Sequence, residues 1–293
     1  MKNVGYILLL SILLFCSCVR DEIEPCPPLT VNIAVKDKNY FDVDKVELEE
    51  KKSEDLAFKE YVPTLYYRLC DAVTGEVVEE QGVFHVTGDE KTFPVTFCEC
   101  IPHGKYVLTV WGGLRDNTPL GDDPLTAILH EENTEGGDYY MTNDTLVYDA
   151  WNYDYTVEME RTKGKLIIQV ENLSEEVNYS DKTVNGLHEQ LNYVFQYSDE
   201  TFVRTEAEWE KSSEVITKTI LSPSIKKDGS LVSMNFYDMP DRITPVLTPE
   251  AVNITMERNR LTVLRYVYDS NDFTIYMLVN DNWEEINGLI VGE

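Results

Sequence analysis

The sequence predicts an all-β protein built as two β-sandwich domains in tandem. Short runs of alternating apolar and polar residues recur along the chain, and clusters of Gly, Asn, Asp and Pro separate them, which is typical of strands joined by turns. The 293 residues include 18 Tyr, a residue favoured in strands, and no stretch has the apolar periodicity of a long amphipathic helix. About 275 residues follow the N-terminal signal, enough for two domains of ordinary size.

The first 17 residues predict a signal for export. Lys2 supplies a positive charge, and the run from Tyr6 to Phe15 is apolar apart from one serine. This run is shorter than the roughly 20 residues that span a bilayer, but it suits the core of a signal peptide. Small Ser17 precedes Cys18, as a lipoprotein signal peptidase requires. We therefore expect cleavage after residue 17 and a diacylglycerol on the Cys18 thiol.

An ordinary secretory signal and an N-terminal membrane anchor are the alternatives to lipidation. A secretory signal rarely ends in Cys, and an anchor needs a longer apolar run. Cys16 is the poorer lipid acceptor because bulky Phe15 precedes it. Residues 18–29 then form a tether. Its acidic tract Val19–Glu24 is similar to the signal that sends lipoproteins of Bacteroidetes to the outer face of the outer membrane.

Four cysteines of the mature chain are candidates for disulfide bonds, since an exported chain meets an oxidising compartment. Cys98 and Cys100 point the same way in a predicted strand, roughly 6.5–7 Å apart, at or beyond the limit for a bridge. If two disulfides form, each of them reaches back to Cys26 or Cys70. A zinc site is disfavoured because no Cys-x-x-Cys pair exists, so we expect no metal and no cofactor.

Charge and motif content exclude several classes of function. The net charge of −28 repels nucleic acid and anionic membrane surfaces, and the acidic residues are spread along the chain like a solvated surface. The four histidines are scattered, which favours surface or turn positions over metal ligands: His85, His103, His130 and His188. The Gly pairs lack the continuation of a phosphate loop, and Asp122, Asp123 and Asp138 lack the spacing of a calcium loop.

The first half contains a series of predicted strands. Thr74-Gly75 marks a hairpin turn, and Pro94 indicates an edge or strand-start position. Residues 112–145 form a long loop in which Pro124–His130 is a predicted short helix. The predicted strands are Thr30–Val35, Lys45–Leu48, Leu65–Cys70, Glu76–Val78, Thr92–Ile101, the strand of Tyr106, Leu108 and Val110, and Tyr153–Met159.

A second sandwich begins after a boundary that we place close to Met159–Gly164. The predicted domains are therefore 30–160 and 161–293. Leu166, Ile168 and Val170 are expected to point inward on its first strand. Its further predicted strands are Leu191–Tyr197, Val215–Leu221, Leu231–Phe236, Val252–Glu257, Leu261–Tyr268 and Phe273–Val279.

Several of these segments together resemble a known family. They are the lipobox with its acidic tether, the pair Cys26-Pro27, residues 101–113 (IPHGKYVLTVWGG) and residues 160–168 (ERTKGKLII). In this order and spacing they are similar to the fimbrial anchor lipoproteins of Bacteroidetes, the FimB/Mfa-type family of type V pili. The resemblance covers essentially the whole mature chain. It implies two transthyretin-like, Greek-key β-sandwiches on a lipid anchor in the outer membrane, exposed at the cell surface.

The resemblance also implies a non-enzymatic role and a class of partner. Members of the family attach a pilus to the cell and limit its length, and their partners are pilin subunits that join by strand exchange. Polymerising pilins lose a leading segment by cleavage after a basic residue. Here the only early basic residue of the mature chain is Arg20, two after the lipid. A cut there would release the protein, so we expect an anchor that keeps its first strand and closes its own groove.

Two further functions remain open at this stage. A surface glycan-binding lipoprotein would need a pair of exposed coplanar aromatics; Trp151 and Tyr153 are candidates, whereas Trp111 is expected in the core. A hydrolase would need a pocket that gathers two carboxylates, and no Gly-x-Ser-x-Gly motif is present.

Overall fold

The computed structural model describes residues 27–97, 101–121 and 124–286. None of the helices in these ranges is long and apolar enough to cross a membrane. Regular structure in the described residues consists of strands and four single-turn 3-10 helices. The strands are β1 Thr30–Val35, β2 Thr64–Asp71, β3 Val77–His85, β4 Phe93–Thr96, β5 Gly104–Gly112, β6 Thr126–Ile128, β7 Tyr140–Tyr148, β8 Asp154–Arg161, β9 Gly164–Glu171, β10 Tyr179–Asn192, β11 Tyr197–Glu208, β12 Glu214–Leu221, β13 Ser230–Tyr237, β14 Val252–Ile254, β15 Leu261–Asp269, β16 Asp272–Val279 and β17 Asn282–Glu285.

The all-β prediction is confirmed, and the first half forms an N-terminal sandwich. Its seven strands follow the order β3-β2-β5-β7-β8-β1-β4, so that β3-β2-β5-β7 form one layer and β8-β1-β4 the other. Alternation decides which side of a strand is buried: Val31 and Ile33 of β1 point into the core, while Asn32 between them is only half-buried. Pro94 lies on β4 at the edge of the sheet, as predicted, where its missing N–H costs no ladder bond.

The second half forms a C-terminal sandwich of two five-stranded sheets. One has the order β11-β10-β13-β14, with β6 also paired to β10, and the other β12-β9-β15-β16-β17. Leu166, Ile168 and Val170 of β9 are buried in its core, as predicted. The two sandwiches share the same strand topology. In each, the first strand pairs antiparallel with the fourth and parallel with a later strand, β8 or β15.

One strand crosses between the two sandwiches. β6 belongs to the long loop of the first half, yet it pairs antiparallel with the end of β10. Pro124–His130 is therefore not the short helix that we expected. A segment of seven residues is too short to hold a helix by itself, and tertiary pairing decides its conformation. Apart from β6, sheet membership changes between β8 and β9, next to the predicted boundary; the limits 30–160 and 161–293 stay a prediction.

Other local predictions are wrong as well: residues 140–145, expected at the end of the long loop, form the first part of β7. Lys45–Leu48 is not a strand, since a 3-10 turn covers Val43–Lys45 and the chain then bends. Leu191–Tyr197 is instead the end of β10 and the turn before β11. The long strands β10 and β11 were missed because β10 contains a bulge between Val184 and Leu187 that interrupts the alternation. Gly186 in that bulge has φ +71°, and a Cβ there would lie 2.2 Å from the Gly229 carbonyl oxygen.

Candidate functional site

The first strand of the chain occupies a position between two strands of its own sandwich. β1 pairs antiparallel with β4 and parallel with β8 along its length. Leu29, Val31 and Ile33 are fully buried in the core. The hydroxyl of Tyr148 donates a 2.9 Å hydrogen bond to the carbonyl of Pro27 and so holds the start of this segment. The groove between β4 and β8 is therefore filled by the chain itself.

A second groove, which we call the slot, lies between β7 and β8. These strands pair only at Tyr140–Arg161 and Met141–Glu160, and then diverge because they belong to different layers of the sandwich. The cleft between them has a volume of about 440 Å³. Its walls are residues 141–144 of β7 and residues 156–158 and 160 of β8, and the β10–β11 turn, residues 193–195, lies at its rim.

The β8 wall of the slot presents open backbone groups. The carbonyl of Tyr153 accepts a hydrogen bond from the Thr30 N–H at 2.7 Å, and the carbonyl of Met159 accepts one from the Lys36 N–H at 3.0 Å. Backbone groups of a strand alternate between its two sides, so every second residue between Tyr153 and Met159 turns its N–H and C=O groups away from β1. The residues that face the slot are Asp154, Thr156 and Glu158.

The β7 wall is partly closed by one tyrosine. The Tyr155 hydroxyl donates to the Val147 carbonyl at 2.6 Å and accepts from the Val147 N–H at 3.2 Å. Val147 thus faces β8, and by alternation so do Asn143 and Thr145. β5 pairs with the far edge of β7 and β1 with the far edge of β8, but within the described ranges no strand pairs with the edges that face the slot along this stretch. The slot is therefore lined by two unpaired strand edges.

Charged groups close the end of the slot where the two sandwiches meet. Glu160 accepts from Lys36 at 2.7 Å and from Arg258 at 2.5 Å. Partial burial acts to raise the pKa of Glu160, but the hydrogen bonds from Lys36 and Arg258 outweigh it and hold the pKa below its usual value. The guanidinium of Arg258 also lies 4.9 Å from the ring centre of Phe195 at the slot rim.

The corresponding strand of the C-terminal sandwich has no such opening. β15 occupies the place of β8, and β16 pairs with it from Leu264↔Met277 to Asp269↔Asp272. β17 then pairs with β16 from Tyr276↔Glu285 to Val279↔Asn282. The hairpin β16–β17 thus covers an edge whose counterpart in the N-terminal sandwich is open.

The edge of β12 is capped by side chains from the long loop. Glu135 accepts a hydrogen bond from the Ile220 N–H at 2.7 Å, and Nε2 of His130 accepts one from the Ser222 N–H at 3.0 Å. Nδ1 of His130 is then the donor, to the carbonyls of Thr134 and Glu135, both at 3.0 Å. Of the predicted surface or turn positions, His130 has the second: it stands at the start of the 3-10 turn Glu131–Asn133, and it is buried rather than on the surface. Burial and the nearby charge of Lys163 lower its pKa to about 3.

The junction between the sandwiches contains buried basic side chains that the sequence analysis missed. Lys163 is fully buried, and its Nζ donates to the carbonyls of Leu129 at 2.5 Å and Glu135 at 3.0 Å. Burial lowers its pKa to about 7. Arg161 pairs with Asp138 at 2.9 Å. The sequence does place two basic residues, Arg161 and Lys163, between two predicted strands. The same pattern is typical of an exposed turn.

The predicted lipidation site and most of the predicted disulfide cysteines lie outside the described residues. These are Cys18, Cys26, Cys98 and Cys100. Cys70 lies half-buried near the end of β2, opposite Val107 of β5, and no other described residue is a cysteine. Lipidation and disulfide pairing therefore stay predictions. The described residues contain no group of three side chains placed to hold a metal ion.

The candidate aromatic residues separate into core and surface. Trp111 is fully buried, as predicted, and its indole N–H donates to the Pro124 carbonyl at 2.9 Å. Trp151 is 90% exposed and Tyr153 is 39% exposed. Neither ring is in contact with another aromatic ring of the described residues. The coplanar pair that a glycan platform needs is thus not formed by these two side chains.

The fold and the slot define a class of protein: two tandem β-sandwiches that share one strand topology, with an open strand edge as the most distinctive surface feature. No family model matches the chain, and no curated protein matches it. Among solved structures, an adhesin candidate from Bacteroides thetaiotaomicron is similar, with a TM-score of 0.61 and 14% identity over 91% of this chain and 100% of that one. A candidate polysaccharide-binding protein from the same species has a TM-score of 0.57 and 12% identity over 89% and 98% of the two chains.

The fimbrial anchor protein Mfa2 from Porphyromonas gingivalis is also among the similar structures. It has a TM-score of 0.44 and 10% identity over 88% of this chain and 99% of that chain. The resemblance that the sequence predicted is thus found among solved structures. At these identities the likeness shows a shared fold.

Proposed function

We propose that this protein is a non-enzymatic lipoprotein that anchors a fimbrium to the outer membrane and ends its growth. The observation that carries the proposal is the position of β1. The chain's own first strand lies between β4 and β8 and buries Leu29, Val31 and Ile33. A subunit that keeps this strand has no vacant groove there for a further subunit, which suits the terminal position in a fibre.

The N-terminal sequence supports the same role. Lipid on Cys18 holds the chain at the membrane, and Arg20 is the only basic residue between Cys18 and β1. Cleavage after Arg20 would separate the sandwiches from the lipid. An uncut chain therefore both keeps β1 in its groove and stays attached to the membrane. The adhesin candidates with the same fold also support a role in surface adhesion.

The slot is the surface that we assign to the pilin partner. An extended segment that enters it can form main-chain hydrogen bonds with Thr156 and Glu158 on one side and with Asn143 and Thr145 on the other. This is strand addition, in which backbone hydrogen bonds supply affinity and alternate side chains supply specificity. Tyr193 and Val194, both exposed at the rim, offer apolar contacts to the incoming segment.

Deletion of the protein from its host tests the anchoring role. We expect long fibres in the culture supernatant instead of fibres held on cells, because attachment and length control are lost together. Shed fibres of normal length would support attachment alone. Fibres that stay on the cells, or a parent strain without fibres, would contradict the proposal.

A proline in the slot tests the partner surface. Thr156→Pro removes an N–H that faces the slot and no hydrogen bond within the sheet, so the fold should persist while strand addition fails. The matched control is Thr156→Val, which keeps the N–H. We expect cells with Thr156→Pro to display the protein and shed their fibres, while Thr156→Val cells retain them. Equal retention by both variants would rule out the slot as the pilin site.

A second candidate function is glycan binding at the cell surface. One similar structure is a candidate polysaccharide-binding protein, and a cleft of about 770 Å³ at the junction contains Phe195, Tyr197, Lys226 and Lys227. Glycan arrays with the full chain test it. Binding that Lys226→Ala and Lys227→Ala together abolish, without any change in fibre retention, would favour this function over anchoring.

A further inference from the structure

Four segments of the N-terminal sandwich meet at the end where the described chain begins. Asp71 at the end of β2 lies opposite Tyr106, Gly104 at the start of β5 lies opposite Tyr148, and Thr30 lies opposite Asp154. We call this end the tether end, defined by residues 27–30, 71–75, 102–105 and 148–154. The opposite end of the same strands, at Val35, Gly112 and Arg161, leads to the C-terminal sandwich.

Two turns of the same construction protrude from the tether end. Their sequences are Asp-Ala-Val-Thr at 71–74 and Asp-Ala-Trp-Asn at 149–152. In each, the first aspartate accepts hydrogen bonds from the two N–H groups at the tip: Asp71 from residues 73 and 74, both at 2.8 Å, and Asp149 from residues 151 and 152 at 2.8 and 2.9 Å. The tip residues are Val73 and Trp151.

These tips carry the two most exposed large apolar side chains of the described residues. Val73 is 86% exposed and Trp151 is 90% exposed. β2 and β7, the strands that lead into these turns, lie on either side of β5. The two strands are therefore about 10 Å apart, which is two strand spacings. The aspartates already satisfy tip N–H groups, which lowers the cost of moving the tips out of bulk water.

The chain length to the predicted lipid places this end near a membrane. Residues 19–26 separate Cys18 from Pro27, and at 3.3–3.6 Å per residue they span at most about 30 Å. The Tyr148 hydroxyl fixes Pro27 to the strand that ends in the Trp151 turn. A lipid on Cys18 thus holds the tether end, rather than the C-terminal sandwich, within reach of the bilayer.

We propose that the Val73 and Trp151 tips insert into the headgroup region of the membrane and fix the orientation of the protein on it. Tryptophan is favoured there because its ring is apolar and its N–H keeps a polar partner. The net charge of −28 opposes contact with an anionic surface, whereas His103 and Lys105 lie between the two tips, so a zwitterionic lipid surface is the fitting partner. The inference rests on the proposed lipid anchor, and it leaves the C-terminal sandwich on the side away from the membrane.

Quenching by brominated lipid tests the inference. The full-length lipidated protein is reconstituted into phosphatidylcholine vesicles with bromine on the acyl chains near the headgroups. We compare the wild type with Trp151→Phe and with the matched control Trp283→Phe, which removes another exposed tryptophan, on β17. Lipid quenching should be lost in Trp151→Phe and retained in Trp283→Phe. Val73→Asp should weaken the quenching of Trp151, while Ile243→Asp, at an exposed site of the C-terminal sandwich, should leave it unchanged.

The outcomes separate this inference from the anchor itself. Protein that floats with vesicles but whose quenching is the same in Trp151→Phe as in the wild type would overturn the membrane contact alone. Protein that does not float would overturn the lipid anchor, and the membrane contact with it. A change in Trp151 emission on addition of a soluble cell-surface glycan, without any effect of vesicles, would assign the tip to a sugar and also overturn the inference.

Discussion

β8 and β15 have the same place in the strand order of the two sandwiches but different surroundings. Each pairs in parallel with the first strand of its sandwich. The outer edge of β15 is covered by the hairpin β16–β17, and that of β8 borders the slot. An open edge is therefore not a consequence of the fold, since the same chain covers the equivalent edge with eight residues of β16.

Three other edges in the described chain are protected. β4 carries Pro94, and β12 is capped by Glu135 and His130 of the long loop. β17 is short and ends in two exposed glutamates. Natural proteins protect strand edges in these ways because an unpaired edge binds other chains. The two edges that line the slot have none of these three kinds of protection, and we take the difference as a sign that they are kept for a partner.

The largest expected effect comes from a charge in the first strand of either sandwich. Ile33→Asp and Ile168→Asp each place a carboxylate in a fully buried position, and each should lower the free energy of unfolding by more than about 4 kcal/mol. Because β6 joins the sandwiches, we expect either variant to disrupt one shared transition in urea unfolding followed by circular dichroism. The valine substitutions at the same positions are controls, at about 1 kcal/mol each. Two separate transitions, with the unmutated sandwich unchanged, would show that the halves are independent.

A smaller effect distinguishes the covered edge from the open one. The N–H of Val267 on β15 points toward β16, opposite Thr274, whereas the N–H of Thr156 points into the slot. Val267→Pro should cost about 2–3 kcal/mol because it breaks the ladder and leaves a carbonyl unpaired. Thr156→Pro should cost less than about 1 kcal/mol, because the N–H that it removes is bonded to water in the slot and not to another strand. Urea unfolding of the two variants measures the difference; equal losses would mean that the β8 edge is paired in solution.

Much of the fold follows from local patterns in the sequence. The alternation of Leu166, Ile168 and Val170 predicts β9 and its buried face, and Pro94 predicts an edge strand. Where local patterns fail, a distant contact decides the structure. Asn185-Gly186 resembles a hairpin turn but forms a bulge packed against Gly229. β6 has a weak strand pattern and exists because β10 pairs with it.

The candidate site was less predictable than the fold. The slot arises because β7 and β8 pair at two positions and then diverge, and nothing local to either strand encodes that divergence. His130 and Lys163 have ordinary sequence neighbours, and their burial depends on packing between the two sandwiches. The exposed Trp151 was a candidate from composition alone, while its placement beside the start of β1 needed the three-dimensional structure.

The capped edge of β12 predicts a dependence of stability on pH. Burial lowers the pKa of His130 to about 3, while an unfolded histidine titrates near 6.5. The unfolded chain thus binds the extra proton first, so stability present above pH 6.5 is lost as the pH falls toward 3, by about 2 kcal/mol at pH 5. His130→Gln, which does not titrate, should remove that share of the loss between pH 7.5 and pH 5. Urea unfolding at the two pH values measures it, and an unchanged loss would contradict the assigned role.

The smallest expected effect concerns the Tyr155 hydroxyl, which closes part of the β7 edge of the slot. Tyr155→Phe removes the hydroxyl that binds both the N–H and the carbonyl of Val147, and water can reach both groups, so the cost should be about 1 kcal/mol. The variant lengthens the open edge of β7 by one residue that faces the slot. We therefore expect faster amide exchange at Val147, together with tighter capture of a pilin-derived strand, because one more pair of backbone hydrogen bonds becomes accessible.

Tyr153→Phe is the matched control, since the Tyr153 hydroxyl makes no hydrogen bond to the described residues and its loss should change neither quantity. Faster exchange at Val147 with weaker capture would mean that the Tyr155 hydroxyl shapes the slot for its partner rather than closing part of it. The difference between the two sandwiches would then lie in how each edge is prepared for pairing: β15 for a hairpin of its own chain, and β7 and β8 for a strand from another.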